Sequence, residues 1–223
     1  MIDMLFAEIN SSNHQIKSVY WFSFICILYV AFALVGNYVL ISEEMYFDFL
    51  GEKLAYERIV DIVETEKKWR WLGYTIIPIF LLLKCFLVVC CLSVGVFLTS
   101  AAVSFKDIFR IVIIAELVFT IPPLVKIIWF SIFFTGYTLQ DLQHFSPFSM
   151  LNFIEQERVE AWYLYPLQLL NIFELVYWYA LAYQLKEILN RHLAGSLGFV
   201  ASTYGVGLLL WVIFVMFLTV SLT

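Results

Sequence analysis

Trp71–Leu98 reads WLGYTIIPIFLLLKCFLVVCCLSVGVFL, a run of 28 residues whose one charge is Lys84. As a helix it rises about 42 Å, more than the roughly 30 Å hydrocarbon core of a bilayer. A helix in a soluble domain keeps one polar face. This stretch has none, so lipid is its solvent.

Working outward, four further stretches meet the same length and apolarity: Val19–Ile41, Ile108–Thr135, Trp162–Leu185 and Leu197–Leu222. The fold class expected is therefore an all-α membrane protein with five transmembrane helices, and residues 1–223 read as a single polytopic domain. Composition agrees: 63% of the 223 residues are hydrophobic, 14% are charged and the mean hydropathy is +0.89. Soluble domains run roughly 45–50% apolar and about 25% charged. A net charge of −5 with no basic tract excludes a nucleic-acid partner. The first span lacks the basic leader and small-residue cleavage site of a signal peptide, and reads as retained. Tyr20, Trp21, Trp69, Trp71, Trp162 and Tyr163 stand near span ends, where an aromatic ring can be half buried and still donate a hydrogen bond.

Lys and Arg set the expected orientation. With the N-terminus cytoplasmic, the inner segments carry Lys17, Lys106, Arg110, Lys186 and Arg191, and the C-terminal end is bare. The 43–70 loop opposes this with Lys53, Arg58, Lys67, Lys68 and Arg70 among eight acids. The reading is N-terminus inside, C-terminus outside, in a bacterial inner membrane. Within that loop, Lys53–Glu66 alternates as an amphipathic helix with Ala55, Tyr56, Ile59, Val60, Ile62 and Val63 on one face. Its acidity favours packing on protein over anionic lipid. Met150–Arg158 reads as a short helix.

Charges at membrane depth cost roughly 2.5–3.5 kcal/mol each on insertion scales, so Lys84, Glu116, Glu174 and Lys126 are the candidate site. Counting from the cytoplasmic ends, Glu116 lies about 15 Å in, Glu174 about 18 Å, Lys84 about 24 Å and Lys126 about 30 Å. These depths predict a Lys84–Glu174 pair with Glu116 as substitute, and Lys126 snorkelling out to Glu155, Glu157 or Glu160. Ion pairs that merely fix register, a proton or anion path, and a ligand pocket all remain open. Pro122 and Pro123 should break the third helix. Gln168, Asn171 and Glu174 form a polar stripe. Gly198, Ala201, Ser202 and Gly205 form a small-residue stripe suited to helix packing.

Catalytic chemistry is thin. Gly195-Ser196-Leu197-Gly198 offers a serine without a base beside it. Cys26, Cys85, Cys90 and Cys91 sit in spans without a CxxC or histidine partner. No enzyme, cofactor or metal site is expected.

Asn171-Ile172-Phe173-Glu174-Leu175, Trp178 and Ser202-Thr203-Tyr204-Gly205-Val206-Gly207 resemble the last two spans of bacterial members of the Yip-domain family, small membrane proteins named for Ypt-interacting proteins. Ser146–Thr223 is also similar to small membrane proteins labelled permeases. The resemblance implies five spans with the N-terminus inside and carries no catalytic residues; the long acidic 43–70 loop departs from it. The function expected is a non-enzymatic scaffold or accessory subunit of an inner-membrane assembly, in contact with lipid and with other membrane subunits or its own copies. The alternative is a small transporter or permease subunit using Lys84, Glu116 and Glu174.

Overall fold

The computed structural model describes residues 2–51, 54–101, 103–154 and 159–222, with 2–17 described by backbone alone. The described residues are all-helical. Four helices are long and apolar enough to cross a membrane: Ser18–Leu40, Tyr56–Leu98, Phe105–Phe133 and Leu193–Leu222. They make the chain a membrane protein.

Helix α1 (Ile2–Val35) widens into a π turn over Gly36–Leu40, and α2 (Glu43–Leu50) follows. Helix α3 (Tyr56–Leu98) is continuous for 43 residues. At 1.5 Å per residue it rises about 65 Å, roughly twice the hydrocarbon core, so its N-terminal third projects beyond any span. The amphipathic segment expected from Lys53 is thus not a separate element. It begins at Tyr56, runs without a break into the second span, and buries Ile59 and Val63; Lys53 lies outside the described residues. Nothing between Glu66 and Trp71 breaks a helix, since no proline or glycine intervenes. Helix α3 ends without glycine. Ser100 adopts φ 52°, and the Ser100 and Ala101 amides donate back to the Phe97 and Val96 carbonyls, the bond pattern of a Schellman stop.

The third span is composite. Helix α4 (Phe105–Glu116) is capped by the Ser104 side chain accepting from the Asp107 amide. A 3₁₀ turn, Leu117–Thr120, leads to α5 (Ile121–Ile128), which ends in a π turn over Trp129–Phe133. Pro122 and Pro123 occupy the first turn of α5, where a missing amide leaves no bond unmade. The expected break is there, and its form is a 3₁₀ joint with a fresh helix start. Helix α6 (Leu139–His144) then opens on a Thr138–Asp141 capping box.

The expected fourth span is two helices. Helix α7 (Ala161–Leu169) and α8 (Ile172–Ile188) are parted at Leu170–Asn171, where Asn171 bridges to Ser149 in an isolated strand-like contact. Neither piece reaches 18 residues, so this stretch is not among the four long helices. Met150–Phe153 is a 3₁₀ turn rather than the start of a helix to Arg158, and 155–158 lie outside the described residues. The chain closes with α9 (Leu193–Val200), a π turn Ala201–Gly205, and α10 (Val206–Leu222).

Packing divides the chain into two compact units. The first gathers residues to Ile25, Leu82–Phe119 and Phe148 onward; inside it α8 packs on α9 and α4, and α10 on α7. Its core holds Val89, Leu92, Val112, Tyr177, Leu181 and Val200. The second comprises Cys26–Leu81 and Thr120–Pro147, with Leu40, Phe130 and Leu142 at its centre.

Candidate functional site

The polar centre of the first unit starts from the gap in the fourth span. Asn171 stands at the N-cap of α8 with its side-chain oxygen accepting the Glu174 amide at 2.9 Å. Such a cap satisfies one of the amides a helix start leaves orphaned. Glu174 therefore falls in the first turn of α8, where the helix dipole favours a carboxylate. The stripe Gln168, Asn171, Glu174 is thus a helix start in disguise. Asn171-x-x-Glu174 has the spacing of a capping sequence, and that signal was available in the sequence.

Glu174 does not meet Lys84. Its Oε1 accepts the Trp178 indole N–H at 2.8 Å and the Tyr204 hydroxyl at 2.7 Å. Lys84 instead donates to Glu116 Oε1 at 2.6 Å, the partner expected as a substitute. The depth count treated Trp162–Leu185 as one straight helix, and the Asn171 joint gives Glu174 local donors of its own. The Lys84 ammonium lies 3.6 Å from the Phe119 ring centroid and 5.6 Å from that of Tyr177, within the range at which aromatic faces attract a cation. Glu116 is 1% exposed and the Lys84 side chain 41%. Tyr177 fills the space between these groups, its ring centroid 4.9 Å from Phe119 and 5.5 Å from Tyr204. Its buried hydroxyl has no hydrogen-bond partner among the described residues. Trp178 and Tyr204 were not legible as carboxylate donors. The Glu174–Trp178 spacing of i,i+4 is the one clue the sequence offers, and Tyr204 arrives from a different helix.

Lys126 belongs to the second unit and donates to the Leu142 carbonyl at 2.6 Å. Of the expected partners Glu155, Glu157 and Glu160, only Glu160 lies among the described residues, and the described contact of Lys126 is with Leu142 instead. Glu160 accepts the Trp162 indole N–H. Helix α6, unforeseen from sequence, brings the Leu142 carbonyl to the lysine. Nearby in the same unit the Asn37 amide donates to the Tyr74 hydroxyl at 3.0 Å, and the Tyr137 hydroxyl donates to the Leu40 carbonyl at 3.1 Å. Outside the spans, burial raises the Tyr46 phenol above its ordinary value; the Glu66 carboxylate adds to this and the Arg70 guanidinium opposes it.

Within the chain the small-residue stripe does not pack as one surface. A side chain at Gly198 would meet nothing within 4 Å, and Ala201 and Ser202 are exposed. Close approach occurs at Gly205, where a Cβ would lie 2.6 Å from the Trp178 ring, at Gly207 against Cys91, and at Gly95 against Thr203 and Phe199. The π turn at Ala201–Gly205 shifts the register of the face, which a plain 3.6-residue period misses.

Ser196 is buried within α9, and its hydroxyl has no hydrogen-bond partner among the described residues. The cysteines are unbridged, and no three of His, Cys, Asp or Glu gather to hold a metal among the described residues. Comparison with known protein families, with curated proteins and with solved structures finds no match to this chain.

Proposed function

We propose that this protein is a non-enzymatic integral membrane scaffold or accessory subunit of a larger membrane assembly. The observation that carries the reading is that the membrane-depth charges of the first unit are each held by protein partners. Lys84 is held by Glu116, and Glu174 by Trp178 and Tyr204, so these polar groups tie α3 to α4 and α8 to the turn before α10. A transport path keeps such groups available to a passing ion, whereas these are committed to protein. Large apolar side chains at the other end of the balance, among them Leu209, Leu210, Ile213 and Phe217 of α10, are left for lipid or a partner helix.

On this reading the chain crosses an inner membrane five times, α7 and α8 making one interrupted crossing, with its N-terminus cytoplasmic and its C-terminus outside. The projecting part of α3 then lies outside as an amphipathic surface. Two of its basic residues are answered locally, Lys67 by Glu43 at 2.6 Å and Arg70 by Glu66 at 2.6 Å. The Yip-type resemblance belongs to the same proposal, with α7–α8 and α9–α10 as the last two crossings.

The alternative, a small transporter subunit, draws on the 41% exposure of Lys84 and on the helix start at Asn171. Interrupted helices place their ends at transporter sites. The deciding experiment is purification of the full chain in mild detergent after in-membrane cross-linking, with identification of what co-purifies. A stoichiometric membrane subunit is the expected result. A monodisperse chain that binds no other subunit and carries ion flux in liposomes would replace the scaffold reading with transport.

A further inference from the structure

Lys126 has a feature the other three membrane-depth charges lack. Among the described residues no carboxylate or indole answers it, and its hydrogen bond goes to the neutral Leu142 carbonyl. An ammonium carries three donors, so two are left for a further acceptor. The same lysine lines a cavity of about 300 Å³ within the second unit, together with Tyr29, Phe32, Asn37, Ile77 and Pro123. That volume is at the lower end of ligand pockets, roughly 300–1,000 Å³. None of the cavity's lining residues is acidic, and most are aliphatic or aromatic.

Two further observations fit a built site. The cavity wall includes Gly36, at the start of the π turn Gly36–Leu40, and a side chain added there would meet nothing within 4 Å. Single π turns inside helices recur at functional sites because they displace a helix face without ending the helix. A cation in a spanning segment with no carboxylate partner among the described residues is also costly, and a bound anion lowers that cost. Basic pockets between membrane helices take anionic lipid headgroups for this reason.

We propose that this cavity binds an amphiphilic anion, a phosphate or carboxylate on an acyl chain, with the headgroup on Lys126 and the chain against Phe32 and Ile77. Two sources supply that chemistry: an anionic phospholipid and a free fatty acid. The site is independent of the Lys84–Glu116 and Glu174 groups and does not rest on the scaffold reading.

Native mass spectrometry of the detergent-purified full chain tests it, using palmitoyl-oleoyl phosphatidylglycerol and palmitoyl-oleoyl phosphatidylcholine, which share their chains and differ in net charge. The expected result is preferential retention of phosphatidylglycerol by about fivefold or more. Lys126→Gln, which keeps a donor for Leu142 and loses the charge, should abolish the preference, and Lys126→Arg should keep it. Gly36→Leu, whose Cβ meets nothing within 4 Å and whose side chain takes up part of the cavity, should reduce lipid retention while thermal unfolding stays near the parent midpoint. A dodecanoate competition separates the sources: displacement of phosphatidylglycerol assigns the site to single-chain carboxylates, and persistence assigns it to the phospholipid. Equal retention of the two lipids overturns the proposal. So does retention of phosphatidylglycerol that neither Lys126→Gln nor Gly36→Leu reduces.

Discussion

Lys84 and Glu116, separated by 32 residues in the chain, meet at 2.6 Å, joining the middle of α3 to the last turn of α4. The carboxylate is enclosed and the lysine stem is partly open, so the two partners do not bear equal desolvation. A buried ion pair gives little net stability against an apolar replacement of both groups, yet removing one partner strands the other. The asymmetry decides the outcome of substitutions.

Lys84→Met should destabilise the folded protein by about 3 kcal/mol, since stranding a buried charge typically costs about 3–5 kcal/mol and the openness around Lys84 lets water relieve part of it. Glu116→Gln in the Lys84→Met background should recover most of that loss. Glu174→Gln in the same background should recover none, because Glu174 already has its own donors. Size-exclusion recovery after a heat ramp in detergent reads all three. Rescue by Glu174→Gln in place of Glu116→Gln would mean that the pairing is Lys84–Glu174.

Glu174 is the shared acceptor of two helices, and its variants should separate cleanly. Tyr204→Phe and Trp178→Phe each remove one donor to a carboxylate, which costs about 1.5–3 kcal/mol for hydrogen bonds to charged groups. Asn171→Ala removes the cap beneath it and should cost about 1 kcal/mol. Combining Tyr204→Phe with Trp178→Phe should cost more than the sum of the two, since either donor alone still serves Oε1 and losing both strands the buried carboxylate. Thermal midpoints of the singles and the double in detergent give the coupling directly. Strict additivity would mean that the two donors do not share an acceptor.

The legible part of this structure is what composition and apolar period dictate. The stretch 71–98 could only be a spanning helix, and Pro122–Pro123 could only mark a helix start or a break. Pair identities were not legible, because depth counting assumes straight helices of uniform rise. The Asn171 joint, the 3₁₀ turn at Leu117–Thr120 and three π turns each reset the register. The joint did carry a local signature in Asn171-x-x-Glu174. The π turns carry none, since they depend on what packs against the helix.

The glycines offer a contrast within one element. Gly198→Ala adds a methyl group to open space in α9 and should stabilise by about 0.4–1 kcal/mol through the unfolded chain's lost freedom. Gly205→Ala, seven residues on, must push the Trp178 ring whose indole N–H is committed to Glu174. Overpacking of this kind costs about 1–3 kcal/mol. Opposite signs in paired thermal shifts are expected. Equal shifts would return Gly198 and Gly205 to one common packing face.

The crossing number decides the side on which the C-terminus lies. Four long helices alone would return both ends of the chain to one side of the membrane, while an α7–α8 crossing separates them. Helix α8 has 17 residues, about 26 Å of rise, and α7 adds 9 residues, about 13 Å; together they exceed the roughly 30 Å that a crossing needs. Neither piece does so alone. On the proposed five-crossing reading a joint at membrane depth is tolerated, because Asn171 caps one side, the Met150 amide donates to the Leu170 carbonyl, and the Ile172 amide donates to the Phe148 carbonyl. A reporter fused before Met1 should therefore be cytoplasmic and one after Thr223 extracytoplasmic. A third reporter at Gly136, between α5 and α6, should be extracytoplasmic and one at Arg191, between α8 and α9, cytoplasmic. If Gly136 and Arg191 report the same side, α7–α8 does not cross, and the count falls to four. If every reporter is inverted, the count stands and the orientation drawn from Lys106, Arg110, Lys186 and Arg191 is reversed.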